Sequence, residues 1–194
     1  METGQRGRPG VARPGDVCVL LQPAGEDLGP LRDRQRSLLK IYGERLYEPM
    51  HLTCQRFALG GDGHRRSLPP VIVRLASVEP FPILAEDLVL MEHQFWRSRL
   101  LRWRVRGTAE LRSFCEELEQ GLICEGIRPD FPSELGCRPR YVTALKGVEN
   151  GQAGLVETGR GYPCRLFEAR RVVFSLIEKG RRFRILEETR MGVG

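Results

Sequence analysis

Two six-residue stretches carry complementary chemistry at matching offsets, His51-Leu52-Thr53-Cys54-Gln55-Arg56 and Tyr141-Val142-Thr143-Ala144-Leu145-Lys146. Each reads aromatic, aliphatic, threonine, two spacers and a base. An imidazole exchanges a proton near neutrality, a phenol donates one, and threonine hydroxyls with nearby cations can hold phosphate oxygens. On a strand, positions i and i+2 point to the same face. His51 therefore projects with Thr53, and Tyr141 with Thr143. If the two stretches pair, all four groups converge. Arg56 and Lys146 have the opposite parity, so they reach that face only at a strand end or a bulge; solvation at the surface is their competing reading. A lone threonine in a strand is usually just a good β-former, so Thr53 and Thr143 gain meaning from the partner beside each. Phe95 and Trp96 are candidates to stack on a nucleobase, with burial in the core as the alternative. His64 and His93 lie in or near loops without motif partners and are read as incidental.

The elements that must position these residues alternate in kind. Residues 16–21 are an apolar run suited to a buried strand. A helix follows from Gly29-Pro30, with proline at its first position and Leu31, Gln35, Leu38, Leu39 and Tyr42 on one face, to a stop at Gly43. Residues 50–57 read as a strand and 60–70 as a loop rich in turn residues. Residues 71–78 and 83–91 read as two strands about the turn 79–82, and 95–106 ends in an alternation of Leu101, Trp103 and Val105 against arginines. Thr108 is an N-cap for a helix with Leu111, Phe114, Cys115, Leu118, Leu122 and Ile123 at helical spacing, closed by Gly126. After a proline-rich loop, 128–139, comes a strand at 141–145, and 165–177 with 183–186 reads as a hairpin. The chain thus has two similar halves, each a helix laid on antiparallel strands, with the motif on the strand after the helix.

Composition bounds the rest. The 194 residues, 41% hydrophobic and 29% charged, suit one domain or two fused lobes. No apolar run reaches the roughly 18 to 20 residues of a membrane span, and 1–15 has no secretory core. The six cysteines include no CxxC pair, which argues against zinc and for small buried hydrophobes in a reducing compartment. A net charge of +6 suits an anionic partner, yet 28 of 31 basic residues are arginine, a bias that genome composition also produces.

The paired stretches resemble the signature of the two-histidine (2H) phosphoesterases, the superfamily of the 2′-5′ RNA ligase-like proteins, with two H-x-[ST] motifs on facing strands of a two-lobed fold. HLTCQRF is similar to the first motif with its trailing arginine and phenylalanine, and the stretch from Trp103 through the Thr108 helix into YVTALKG is similar to the approach to the second. The resemblance spans most of the chain. It implies an α+β, pseudo-symmetric fold with antiparallel sheets lining a central cleft and helices outside. This single domain would occupy 16–190, between a disordered tail at 1–15 and a C-terminal tail at 191–194. It also implies hydrolysis of 2′,3′-cyclic or 2′-5′ phosphodiesters in RNA ends or small nucleotides, without metal or cofactor, by a cytoplasmic monomer. In the family the first histidine is the usual acid, the second the base, and the hydroxyls hold phosphate. Here Tyr141 stands at the second histidine's place. Tyrosine, with an ordinary pKa of about 10, donates readily and is a poor base. Three readings stay open: a cyclic phosphodiesterase with a degenerate second motif, an impaired relative that binds nucleotides or RNA ends without turnover, and a chance repeat in an α+β domain of other purpose.

Overall fold

A computed structural model describes residues 12–43, 45–58, 68–93, 98–131, 140–148, 154–157, 161–179 and 182–193. Strand β1 (Asp16–Gln22) is buried along its whole length, as a strand flanked and covered on both faces must be. β2 (Arg45–Leu46) is a two-residue strand, and β3 (Leu52–Ala58) carries the first motif. β4 (Phe81–His93) and β5 (Ser98–Val105) form a long hairpin pair. β6 (Arg140–Lys146) carries the second motif. It is followed by β7 (Gly154–Glu157), β8 (Cys164–Ala169), β9 (Arg171–Ile177) and β10 (Phe183–Arg190). All pairings are antiparallel, in the order β10-β9-β1-β3-β6-β5-β4-β7, with β2 on β6 and β8 on β4. The sheet curls into a half-barrel.

Helices α1 (Leu28–Tyr42), α2 (Leu68–Ala76) and α3 (Ala109–Cys124) cover one face. Leu31 and Leu38 of α1, and Leu111, Phe114 and Leu118 of α3, join Val17, Val19, Leu52, Trp103 and Val142 in one core. Among the described residues, the other, concave face carries a small cluster of Cys18, Leu20, Val173 and Ile177. The protein is therefore α+β, with two lobes arranged pseudo-symmetrically about the β3–β6 junction and helices outside. Thr108 caps α3 by accepting from Leu111 N at 3.2 Å. Gly126, at φ 71°, ends the run beyond that helix, a left-handed conformation that glycine adopts without steric cost. No helix among the described residues is long and apolar enough to cross a membrane.

The structure departs from the sequence reading in several places. Residues 71–78 are not a strand; most of them belong to α2. Pro69 and Pro70 fit a helix's first turn, and Leu68, Val71 and Leu75 fall on one buried side while Val73 is 68% exposed. Burying each of those three side chains stabilises by about 1.5–3 kcal/mol, against tenths of a kcal/mol lost per β-branched residue in a helix. The run 165–177 is two strands, broken at Arg170, because β8 pairs with β4 whereas β9 pairs with β1. Pro30 lies in the first turn of α1, which starts at Leu28. Ile123 faces solvent, 50% exposed. Cys18, Cys54 and Cys115 are buried as expected, but Cys124 is exposed and Cys164 partly so; Cys137 lies outside the described residues. After β10 the backbone stays tied down: Met191 N donates to Arg170 O at 2.9 Å, Gly192 N to Val78 O at 2.9 Å and Val193 N to Ala76 O at 3.1 Å.

Candidate active site at the junction of the motif strands

β3 and β6 meet at the middle of the sheet through the pair Leu52↔Val142. Both side chains are fully buried in the helix-covered core. The residues flanking them, His51, Thr53, Tyr141 and Thr143, therefore project from the concave face. Antiparallel geometry sets Thr143 beside His51 and Tyr141 beside Thr53. The two motifs thus share one patch. His51 and Thr143 are buried there, and Thr53 and Tyr141 are half-buried.

Each motif contains a bulge at the same position. Along β1 and β3 the register runs Leu20↔Thr53 and then Val19↔Gln55, leaving Cys54 unopposed. Along β5 and β6 it runs Arg102↔Thr143 and then Leu101↔Leu145, leaving Ala144 unopposed. An extra residue inverts the alternation that follows it. Arg56 then lies opposite Cys18, on the face of Leu20 and Thr53, and Lys146 lies opposite Leu100, on the face of Arg102 and Thr143. Both basic residues therefore reach the concave face, by the bulge that their parity required. The second bulge is anchored from behind. The Ala144 carbonyl accepts from Gln35 Nε2 of α1 at 2.7 Å and from Tyr47 N at 3.0 Å. Beneath the first bulge, burial pushes the Cys54 thiol well above its ordinary pKa.

Arg56 differs from Lys146 in its surroundings. Its Nε is 2.8 Å from Asp130 and 3.6 Å from Asp16, and its guanidinium lies 5.1 Å from the centroid of Phe131. Gln55 clasps the same segment, donating to Phe131 O at 2.6 Å and accepting from Phe131 N at 2.8 Å. Arg56 thus knits β1, β3 and residues 130–131 together, its charge balanced by two carboxylates.

His51 is held in a defined state. Its Nδ1 lies 2.7 Å from the Pro49 carbonyl. A carbonyl only accepts, so Nδ1 carries the proton and Nε2 of the neutral ring is the unprotonated, accepting nitrogen. Burial lowers the His51 pKa below 6.5; the Pro49 carbonyl opposes this shift and the field of Arg102 adds to it. The ring is flanked by Tyr47 at 5.8 Å and by Phe183, edge-on, at 5.7 Å between centroids.

No protein-family model and no curated protein sequence matches the chain. Solved structures do match. E. coli LigT complexed with 3′-AMP aligns with TM-score 0.61 and 11% identity over 93% of this chain and 99% of its own. A Thermus thermophilus protein aligns with TM-score 0.61 and 13% identity, over 91% and 97%. A phosphoesterase aligns with TM-score 0.60 and 12% identity, over 92% and 99%. LigT has also been crystallised with phosphate and with ATP. The chain has the LigT fold.

Within this LigT fold, three concave-face residues escaped the sequence reading. Arg102 is half-buried opposite Thr143, with its guanidinium 5.6 Å from the centroid of Tyr141. Its signal was the arginine alternation of β5, legible once β5 is placed beside β6. Phe183 comes from a distant segment, and Tyr47, just upstream of His51, stands outside the motif, so neither carried a signal. Phe95, Trp96 and His64 lie outside the described residues. His93 is at the end of β4, paired with Ser98, away from the motif strands. Among the described residues, no three His, Cys, Asp or Glu side chains gather in a metal-holding group.

Proposed function

We propose that this cleft is a phosphoesterase site that hydrolyses 2′,3′-cyclic or 2′-5′ phosphodiester linkages in RNA ends or small nucleotides, in a cytoplasmic monomer and by proton transfer between side chains. The observation that carries the reading is the hydrogen bond from His51 Nδ1 to the Pro49 carbonyl, on a ring that burial keeps neutral. A neutral imidazole with a bare Nε2 takes a proton; it has none to give from that atom. His51 is then the base, and Tyr141 the acid, the reverse of the order that the family resemblance implies. The attacking water bonds to phosphorus and passes its proton to Nε2. The bond from phosphorus to the ribose oxygen breaks, and that oxygen takes the proton of the Tyr141 hydroxyl. The hydroxyls of Thr53 and Thr143 donate to the non-bridging oxygens, and Lys146 adds positive charge at the rim. The phosphate and 3′-AMP complexes of LigT support a phosphate at the centre of such a cleft.

The test is turnover of nucleoside 2′,3′-cyclic phosphates by the wild type, His51→Ala and Tyr141→Phe. Each variant should lose about 10²- to 10⁴-fold in kcat, the span of acid–base assistance, while Tyr141→Phe retains its affinity for the product. Equal, negligible rates in all three folded proteins, with nucleotide still bound, would replace hydrolysis by binding without turnover.

A further inference from the structure

On β3 and β5, three arginines reach the concave face, and their partners differ. Arg56 is paired with Asp130 and Asp16. Arg104 is paired with Asp87, and its Nε, itself without a hydrogen bond, lies 3.7 Å from the Glu86 carboxylate. Among the described residues, Arg102 has no carboxylate within ion-pair distance, and its buried Nε has no hydrogen-bond partner. Its neighbours are aromatic and hydroxylic: Tyr141 under the guanidinium and Thr143 across the strand. A half-buried cation without a counter-charge is costly. The cost is offset when an anion occupies the space in front of it.

We propose that Arg102 is the guanidinium that grips the substrate's phosphate, in the place the motif's own Arg56 has given up to Asp16 and Asp130. The ligand class is a nucleotide phosphoryl group seated between Arg102, Thr143 and Thr53, with His51 behind it. The planar fork of arginine matches two phosphate oxygens at once, which a lysine cannot do. The assignment rests on the phosphoesterase reading of the cleft, and the experiment separates the two.

Titration calorimetry would compare 3′-AMP, adenosine and inorganic phosphate on the wild type, Arg102→Gln, Arg102→Lys and Arg36→Gln. The last removes the same charge from the outer surface of α1, where Arg36 pairs with Asp33. Charged hydrogen bonds of this kind are worth about 10- to 100-fold in affinity. Arg102→Gln should weaken 3′-AMP and phosphate by that factor and leave adenosine unchanged. Arg102→Lys should fall between it and the wild type, and it decides the matter if Arg102→Gln does not fold. Arg36→Gln should match the wild type. Undiminished 3′-AMP and phosphate affinity in both Arg102 variants would overturn the assignment while leaving the cleft's function standing. Phosphate binding that is lost in Arg102→Gln, with nothing gained from the nucleoside, would keep Arg102 as anchor and end the nucleotide reading. Binding of neither ligand by the wild type would overturn both.

Discussion

The state of one imidazole divides the possible chemistries of this cleft. If His51 is the base, activity needs it unprotonated, so the rate should climb as pH rises through a value below 6.5 and then stay level across neutrality. An acid role would give the opposite limb, with activity falling over that same range. A pH–kcat/KM profile distinguishes them. The same shift bears on stability. The folded state holds His51 below its unfolded pKa of about 6.5, so the unfolded chain binds more protons in that window. The contribution to stability is complete above 6.5 and is lost as pH falls through the folded value. Denaturant titrations should therefore show a His51-dependent decline on acidification that His51→Ala lacks. At this scale the sequence was informative about types and silent about states. The motif named His51, Tyr141 and both threonines, but the tautomer follows from a carbonyl two residues back, and the balance of charge on Arg56 from aspartates as far away as Asp130.

At the scale of elements, bulges and periodicity decide what reaches the cleft. Strict alternation would turn Arg56 and Lys146 toward the helices, and one extra residue after each threonine turns them back. The sequence shows the parity conflict but cannot place the insertion, which is defined only by the partner strand. Gln35 gives a handle on it. Gln35→Leu keeps the size and removes the donor to the Ala144 carbonyl. It should destabilise the fold by about 1–3 kcal/mol, measured by chemical denaturation, because Tyr47 N alone remains for that carbonyl. The misread segment is testable in the same way. In α2, Leu75→Ala should cost about 2–5 kcal/mol, whereas Val73→Lys should stay within about 0.5 kcal/mol; alternation along a strand would bury or expose both together. α3 was legible because its cap and its buried positions agree. α2 was not, because Val71, Ile72 and Val73 carry strand propensity locally and a helical face only once the core is known.

At the scale of the whole molecule, curvature brings together residues that no local pattern connects. Phe183 begins β10, three strands away from β3 in the sheet order, yet its ring meets His51. Phe183→Ala should open that side of the imidazole to water, raise its pKa toward 6.5 and move the acid limb of the rate profile upward. NMR titration of the His51 ring checks it, and an unmoved pKa would show that Tyr47 and the strand backbone suffice to exclude water. The strand order has a further consequence, for the timing of assembly. β1 is synthesised well before β9, yet its flank opposite β3 is closed by residues 171–176 of that strand. A nascent chain therefore carries a strand that is apolar from Val17 to Leu21, with one row of amide and carbonyl groups unanswered until β9 has been made. Such an edge templates association with other chains, and pairings so distant in sequence form slowly. Chains interrupted before residue 171 should accumulate as aggregates or chaperone clients, while chains that include β9 close the gap.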